Sequence, residues 1–148
     1  MSRRLARETA LQVLFQVDMT GEKDNLKAAV AKWAGEFAVP EGSIPFAEEL
    51  VEGTLTHIQA IDNKLEQFSE GWPLKRMANV DRNIMRLACY EILYREDIPG
   101  RVTINEAIEI AKSYGSEESG KFINGILDRL LESVNKKDEK GNDTLSWD

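Results

Sequence analysis

The chain has 148 residues, 42% hydrophobic and 30% charged, the balance of an ordinary globular protein and not of a fibrous, disulfide-framed or disordered one. No apolar run approaches the ~20 residues that a bilayer span needs, and the start is arginine leading into amphipathic helix, not a signal peptide, so a cytoplasmic protein is expected. A formal net charge of −7 argues against gripping nucleic acid over the whole surface.

That charge is unevenly spread. Residues 1–7 carry +3 and residues 8–71 carry −8, whereas residues 72–102 return to +2, residues 103–135 carry −3 and the tail −1. Localised basic patches on an acidic body suit a small nucleic-acid footprint, a basic protein partner for the acidic face, or a merely solvated surface.

Residues 2–17 read as a helix with Ser2 as N-cap. On the helical wheel Arg3, Arg7 and Arg4 fall at about 0°, 40° and 100°, and Ala6, Ala10, Val13 and Val17 at about 300°, 340°, 280° and 320°. One face is small and apolar, and the face beside it carries three guanidinium groups. Leu11 and Phe15, at about 80° and 120°, continue the arginine side as apolar surface. On periodicity alone, a solvated first turn on a core helix is the plainer reading. The helix is expected to end near Asp18, before the turn-rich residues 20–25.

A second helix follows, with Leu26, Val30, Trp33 and Phe37 on one stripe. Val39 and Pro40 end it, and Pro45 is placed to open the next helix. That third helix is expected to be long, its buried stripe running Phe46, Leu50, Ile58, Ile61, Leu65 and Phe68, with closure at Ser69-Glu70-Gly71. Trp72 and Pro73 begin a connection in which residues 74–78 form a short turn of helix. From Asn79 a strongly helical segment turns Val80, Ile84, Leu87, Ala88 and Ile92 inward, and Asp81 lies in its first turn, where the helix dipole favours a carboxylate.

Residues 97–100 form a break. Thr103-Ile104-Asn105-Glu106 matches a capping box, so Thr103 is expected to cap a helix running through Tyr114, with Gly115 as its C′ residue. Ser116 or Ser119 opens the last helix, whose wide stripe is Ile123, Ile126, Leu127, Leu130, Leu131 and Val134. Residues 136–148 are polar apart from Trp147 and are expected to be a disordered tail. With no strand alternation anywhere, the fold class is all-α, about seven helices in a compact bundle forming one domain over residues 1–135.

Catalytic chemistry finds little purchase. His57 is the only histidine, which excludes a His-cluster metal site, and its spacing places it on the Thr54/Ile58/Ile61 face as a packed or partly exposed core residue. Cys89, the single cysteine, has no His or Cys nearby and reads as a buried thiol. Glu48, Glu49 and Glu52 read as a solvated face. With no P-loop and no strand for a dinucleotide fingerprint, neither enzyme activity, cofactor nor metal is expected. Binding surfaces remain. Arg3, Arg4 and Arg7 are of the type that contacts phosphate bidentately or stacks on bases. Lys121 and Phe122 form a second cation–aromatic pair at the start of the last helix, which is more often core or rim than ligand contact.

Four stretches, SRRLARETALQVLFQ, VDRNIMRLACYEI, INEAIEIAKSYG and KFINGILD, stand in the order and spacing of the NusB family of bacterial transcription antitermination factors. The resemblance covers residues 2–134 and leaves out the tail. It implies two three-helix bundles packed together, about residues 1–70 and 74–135. It also implies binding to the boxA element of nascent ribosomal RNA, most tightly as a heterodimer with NusE, a ribosomal small-subunit protein. Other Nus factors and RNA polymerase are implied as further partners, with no membrane. By the same resemblance Arg3, Arg4, Arg7, Phe68, Lys121 and Phe122 correspond to the RNA-binding side, and Phe15 and Asp81 to the partner-facing side. Leu5 stands where some relatives carry another arginine, so weak, salt-sensitive RNA binding by the chain alone is expected, tightened by the partner. Some members of the family are homodimers that bury the arginine surface, which leaves a homodimer open. The competing reading is a helical protein-interaction scaffold without RNA contact. A methyltransferase reading, suggested by a similar module in some ribosomal RNA methyltransferases, would need a downstream cofactor domain that does not fit here.

Overall fold

The computed structural model describes the backbone of residues 2–141 and the side chains of residues 2–135. Seven α-helices carry it: α1 (Ser2–Thr20), α2 (Leu26–Glu36), α3 (Ile44–Thr56), α4 (Ile58–Gln67), α5 (Asn79–Tyr94), α6 (Gly100–Tyr114) and α7 (Glu117–Gly141). No strand occurs among the described residues. Helices α1, α2 and α3 pack on one another, as do α5, α6 and α7, and α5 joins the two groups by also packing on α1, α3 and α4. The fold is thus all-α, two three-helix groups sharing one core. None of these helices is long and apolar enough to cross a membrane.

The small face of α1 explains its central place. Ala6 and Ala10 are completely buried, and Val13, Leu14 and Val17 follow them inward. Short side chains let neighbouring backbones approach, and dispersion contacts then accumulate over the shared surface. The two groups also meet closely where α3 crosses α5, because a Cβ on Gly53 would collide with the Tyr90 ring. At its far end α1 is tied to α5 by Asp18, which accepts hydrogen bonds from Arg82 Nη2 at 2.8 Å and Asn83 Nδ2 at 2.9 Å. Arg86 on the next turn binds Asp62 of α4 through both carboxylate oxygens, at 2.8 and 2.9 Å. Cys89 is buried as expected, and desolvation pushes its thiol up to about 12, which leaves it unreactive near neutral pH.

Several boundaries differ from expectation. The long third helix is two helices, broken at His57 (φ −106°, ψ 21°). The apolar stripe continues in register across the break, from Leu50 and Thr54 to Ile61 and Leu65, so periodicity is blind to it. Ring stacking holds the bend, with His57 lying 4.0 Å from Tyr94 and 6.4 Å from Tyr90, centroid to centroid. The short turn of helix expected over residues 74–78 is a 3₁₀ turn confined to residues 74–76. Helix α1 runs on to Thr20, and Gly21, at φ 77°, closes it by donating its N–H to the Val17 carbonyl at 2.7 Å. Helix α7 continues six residues past Asn135 to Gly141; the rest of the expected disordered tail, 142–148, lies outside the described residues.

The expected capping box is absent. Helix α6 starts four residues earlier, at Gly100 with Pro99 as its cap position, so Thr103 sits inside the first turn, buried. Its hydroxyl donates to Glu91 Oε1 at 2.7 Å, and Glu106 is taken by Arg4. A buried carboxylate needs donors more than an exposed helix start needs a cap, and the tertiary demand wins.

Candidate nucleic-acid interface

Three arginines leave the same end of α1 for three different environments. Arg3 is exposed, its guanidinium 4.2 Å from the centroid of the Phe46 ring. Arg4 is half-buried and donates from Nε and Nη2 to the two oxygens of Glu106, at 2.7 and 2.8 Å. This bidentate pair raises the arginine's affinity for its proton and holds the Glu106 carboxyl below its ordinary range. Arg7 is only 4% exposed, and its Nε and Nη2 donate to Glu91 at 2.8 and 2.9 Å.

Arg7 thus stands away from the surface on which a phosphate contact was expected. At about 40° on the wheel it lies between Leu14 and Leu11, both buried, and enters the core between α1, α5 and α6 with them. There it meets Glu91, itself 1% exposed, and the Thr103 hydroxyl completes that carboxylate's shell. Arg7 still lines the surface cleft formed by Arg3, Arg4, Asp97, Pro99, Val102 and Glu106, but as its floor.

The rim of that cleft carries further charge. Arg95 lies 5.3 Å from the same Phe46 ring and binds Asp97 through Nε and Nη2, at 2.8 and 2.7 Å. These bonds hold the Asp97 carboxyl down to about 2. Glu8, one turn along α1 from Arg4, is pushed up by burial, a shift that Arg4 and the Tyr114 hydroxyl only partly offset.

The second group lies at the start of α7. Lys121 and Phe122 are both exposed, Phe122 to 36%. Phe122, Gly125 and Arg129, spaced three and four apart, share one stripe of α7. Arg129 Nη2 donates to the Phe68 carbonyl at 2.7 Å, so Phe68 stands two turns along the stripe that Phe122 begins. The Phe68 ring, half-buried, packs against the core. Arg4 meets Glu106 on α6, and Gly120, next to Lys121, is placed against Ile108 and Lys112 further along the same helix. The three arginines line one cleft, and Phe122, without Lys121, lines another.

Phe15 stands towards the far end of α1, and Asp81 lies in the first turn of α5. Phe15 is half-buried and stands one turn before Asp18, whose partner Arg82 is the neighbour of Asp81. Asp81 accepts a hydrogen bond from Ser119 Oγ at 3.3 Å, tying the start of α5 to the start of α7.

Sequence reasoning missed the residues that decide availability. Glu91 and Glu106 lie 84 and 102 positions from the arginines they hold, and no local pattern links them. It also missed Trp72 and Arg76, which share a cleft with Phe122 and Asp81. A Gly-Trp-Pro turn has no helix face on which to bury an indole, and that signal was legible.

A helical core whose cations and aromatics stand at helix starts, outside the packed stripes, defines a small helical binding protein. The chain belongs to the NusB family, whose family model matches residues 4–132. The transcription antitermination protein NusB of Desulfitobacterium hafniense is 80% identical over 148 residues, the full length of both chains. That of Desulforamulus reducens is 52% identical over 139 residues, 94% of each. Among solved structures, T. maritima NusB is 38% identical with a TM-score of 0.82, covering 95% of this chain and 97% of its own. A structure of the antitermination factors NusB and NusE in complex with double-stranded RNA matches at 27% identity and TM-score 0.80, covering 89% of this chain and 97% of that one.

Proposed function

We propose that this chain is a transcription antitermination factor that binds boxA RNA of nascent ribosomal transcripts together with the ribosomal protein NusE. In that assembly it joins other Nus factors on RNA polymerase and helps the enzyme resist premature termination. Residues 1–135 act as a single RNA-binding domain. The observation that carries the RNA reading is the exposure of Arg3, Lys121 and Phe122 on helix starts beside half-exposed Arg4. Cations and an aromatic held outside the core on rigid helices suit single-stranded RNA, where phosphates need charge and splayed bases need a π-face. The names of the relatives, transcription antitermination proteins, support the biological role, and the solved NusB–NusE–RNA complex supports the choice of partners.

On this reading Arg7 acts indirectly. It fixes the start of α1 on α5 and α6 and so sets where Arg3 and Arg4 stand, while Phe15 and Asp81 face the protein partner. The test is a titration of boxA RNA against the chain with and without NusE. The expected result is weak, salt-sensitive affinity alone, strengthened by NusE, and loss of affinity in a combined Arg3→Ala, Arg4→Ala and Lys121→Ala variant. Equal affinity for that variant and the parent would sink the reading. It would leave the protein-only scaffold, which half-exposed Phe15, absent from the core cluster, also serves.

A further inference from the structure

Trp72 is 53% exposed, and it is exposed on a fixed support. Its N–H donates to the Ser69 carbonyl at 3.1 Å, the hydroxyl of buried Ser69 donates back to the Trp72 carbonyl at 2.8 Å, and Pro73 follows at φ −65°. The backbone is pinned on both sides while the indole faces outward. Trp72 lines a cleft of about 270 Å³ with Arg76, Met77, Ala78, Asp81 and Phe122. Two of the large apolar side chains exposed among the described residues thus meet in one place. Arg76 has no ion-pair partner among the described residues, whereas Asp81 is engaged by Ser119.

We propose that this cleft receives one unpaired nucleobase of the bound RNA, stacked on Trp72 and Phe122. Arg76 meets an adjacent phosphate. The proposal rests on the RNA-binding reading above and adds Trp72 and Arg76 to it as a base-holding subsite. The chemistry favours a base over a protein side chain: two rings on rigid supports stack on any flat heterocycle, and Arg76 beside them is an exposed cation suited to phosphate. Rigid rings also lose little freedom on binding.

The experiment uses the full chain, boxA RNA, and the same RNA carrying a single abasic site at each position in turn. Trp72→Ala is expected to keep the parent's melting temperature, since the indole is exposed, and to weaken RNA binding about tenfold, the size of one base stacked on an aromatic. One abasic position costs the parent a similar factor and costs Trp72→Ala nothing further, and Trp72→Phe recovers most of the loss. Identical abasic profiles for parent and Trp72→Ala would overturn the subsite while leaving RNA binding intact. Unchanged RNA affinity with weakened NusE binding would overturn it in favour of a protein contact. If the parent binds no RNA, the subsite falls together with the reading beneath it.

Discussion

The two cationic ends of this molecule look alike on a list of residues and differ in what their charges are free to do. At the start of α1, Arg4 and Arg7 are each held bidentately by a carboxylate. At the start of α7, Lys121 is exposed and makes no ion pair among the described residues. A guanidinium already matched to a carboxylate must exchange partners before it meets a phosphate, and the gain from exchange is small compared with that of an unmatched cation. Charge count therefore overstates the arginine end and understates the lysine end.

The sharpest way to break this contrast is to remove Glu91. Glu91→Ala leaves the Arg7 guanidinium buried without a counter-charge and strips the Thr103 hydroxyl of its acceptor. Both side chains of the ion pair are at most 5% exposed, so solvent screening is slight. A loss of about 3–5 kcal/mol is expected, the cost of orphaning one member of a buried pair. Urea unfolding measures it, and a loss under about 1 kcal/mol would show that Arg7 escapes to solvent. The paired Arg7→Met and Glu91→Leu change should recover much of the stability, because apolar groups of similar volume replace such pairs at little cost.

Next in size is the comparison of Arg4 with Lys121. Each phosphate contact adds about one unit to the slope of log affinity against log salt, somewhat less for single strands. Lys121→Ala is expected to lower the slope of RNA binding by most of a unit. Arg4→Ala is expected to lower it by less, since Glu106 already neutralises that guanidinium and competes with phosphate. Glu106→Gln then separates the two ends: it should steepen the slope through Arg4 and leave the contribution of Lys121 unchanged. Equal slopes for Arg4→Ala and Lys121→Ala would show that the Glu106 pair opens freely in the complex.

How much of this was legible in the sequence follows from the range of the interactions involved. The apolar stripes of α1, α2, α5 and α7 arise within one helix, and they marked the all-α class and most of the core. The break at His57 was hidden because the stripe keeps its register across it, and the bend is held by Tyr90 and Tyr94 of another helix. The capping box misled for a related reason: Thr103 and Glu106 fit a local pattern, but Glu91 and Arg4 claim them from far along the chain. The site divides in the same way. Which side chains are cationic or aromatic was plain, and Lys121 and Phe122 stood out as a pair at the start of the last helix. Which cations are already spoken for depends on partners that only the tertiary fold supplies.

The smallest expected effect is acid sensitivity at the arginine end. Arg95 holds Asp97 at about 2 against an ordinary 3.8, first through hydrogen bonds to its carboxylate and then through charge attraction. A folded-state value below the unfolded one means that the unfolded chain binds the proton more readily. The contribution of this pair is therefore complete above about 3.8 and is lost as pH falls from there towards about 2. Glu106, held down by Arg4, adds a loss of the same sign beginning near its ordinary 4.5. The carboxylate of Asp97 is exposed and salt screens such pairs, so the effect should shrink with added salt. Glu49 also binds Arg95, at 2.6 Å, and keeps that guanidinium in place when Asp97 is protonated. Asp97→Asn should accordingly flatten part of the stability curve below pH 4 and lower stability at neutral pH by the same small amount, and thermal melts from pH 7 downwards read both. At the α7 end, Lys121→Ala should leave the same acid limb untouched, because Lys121 pairs with no carboxylate among the described residues.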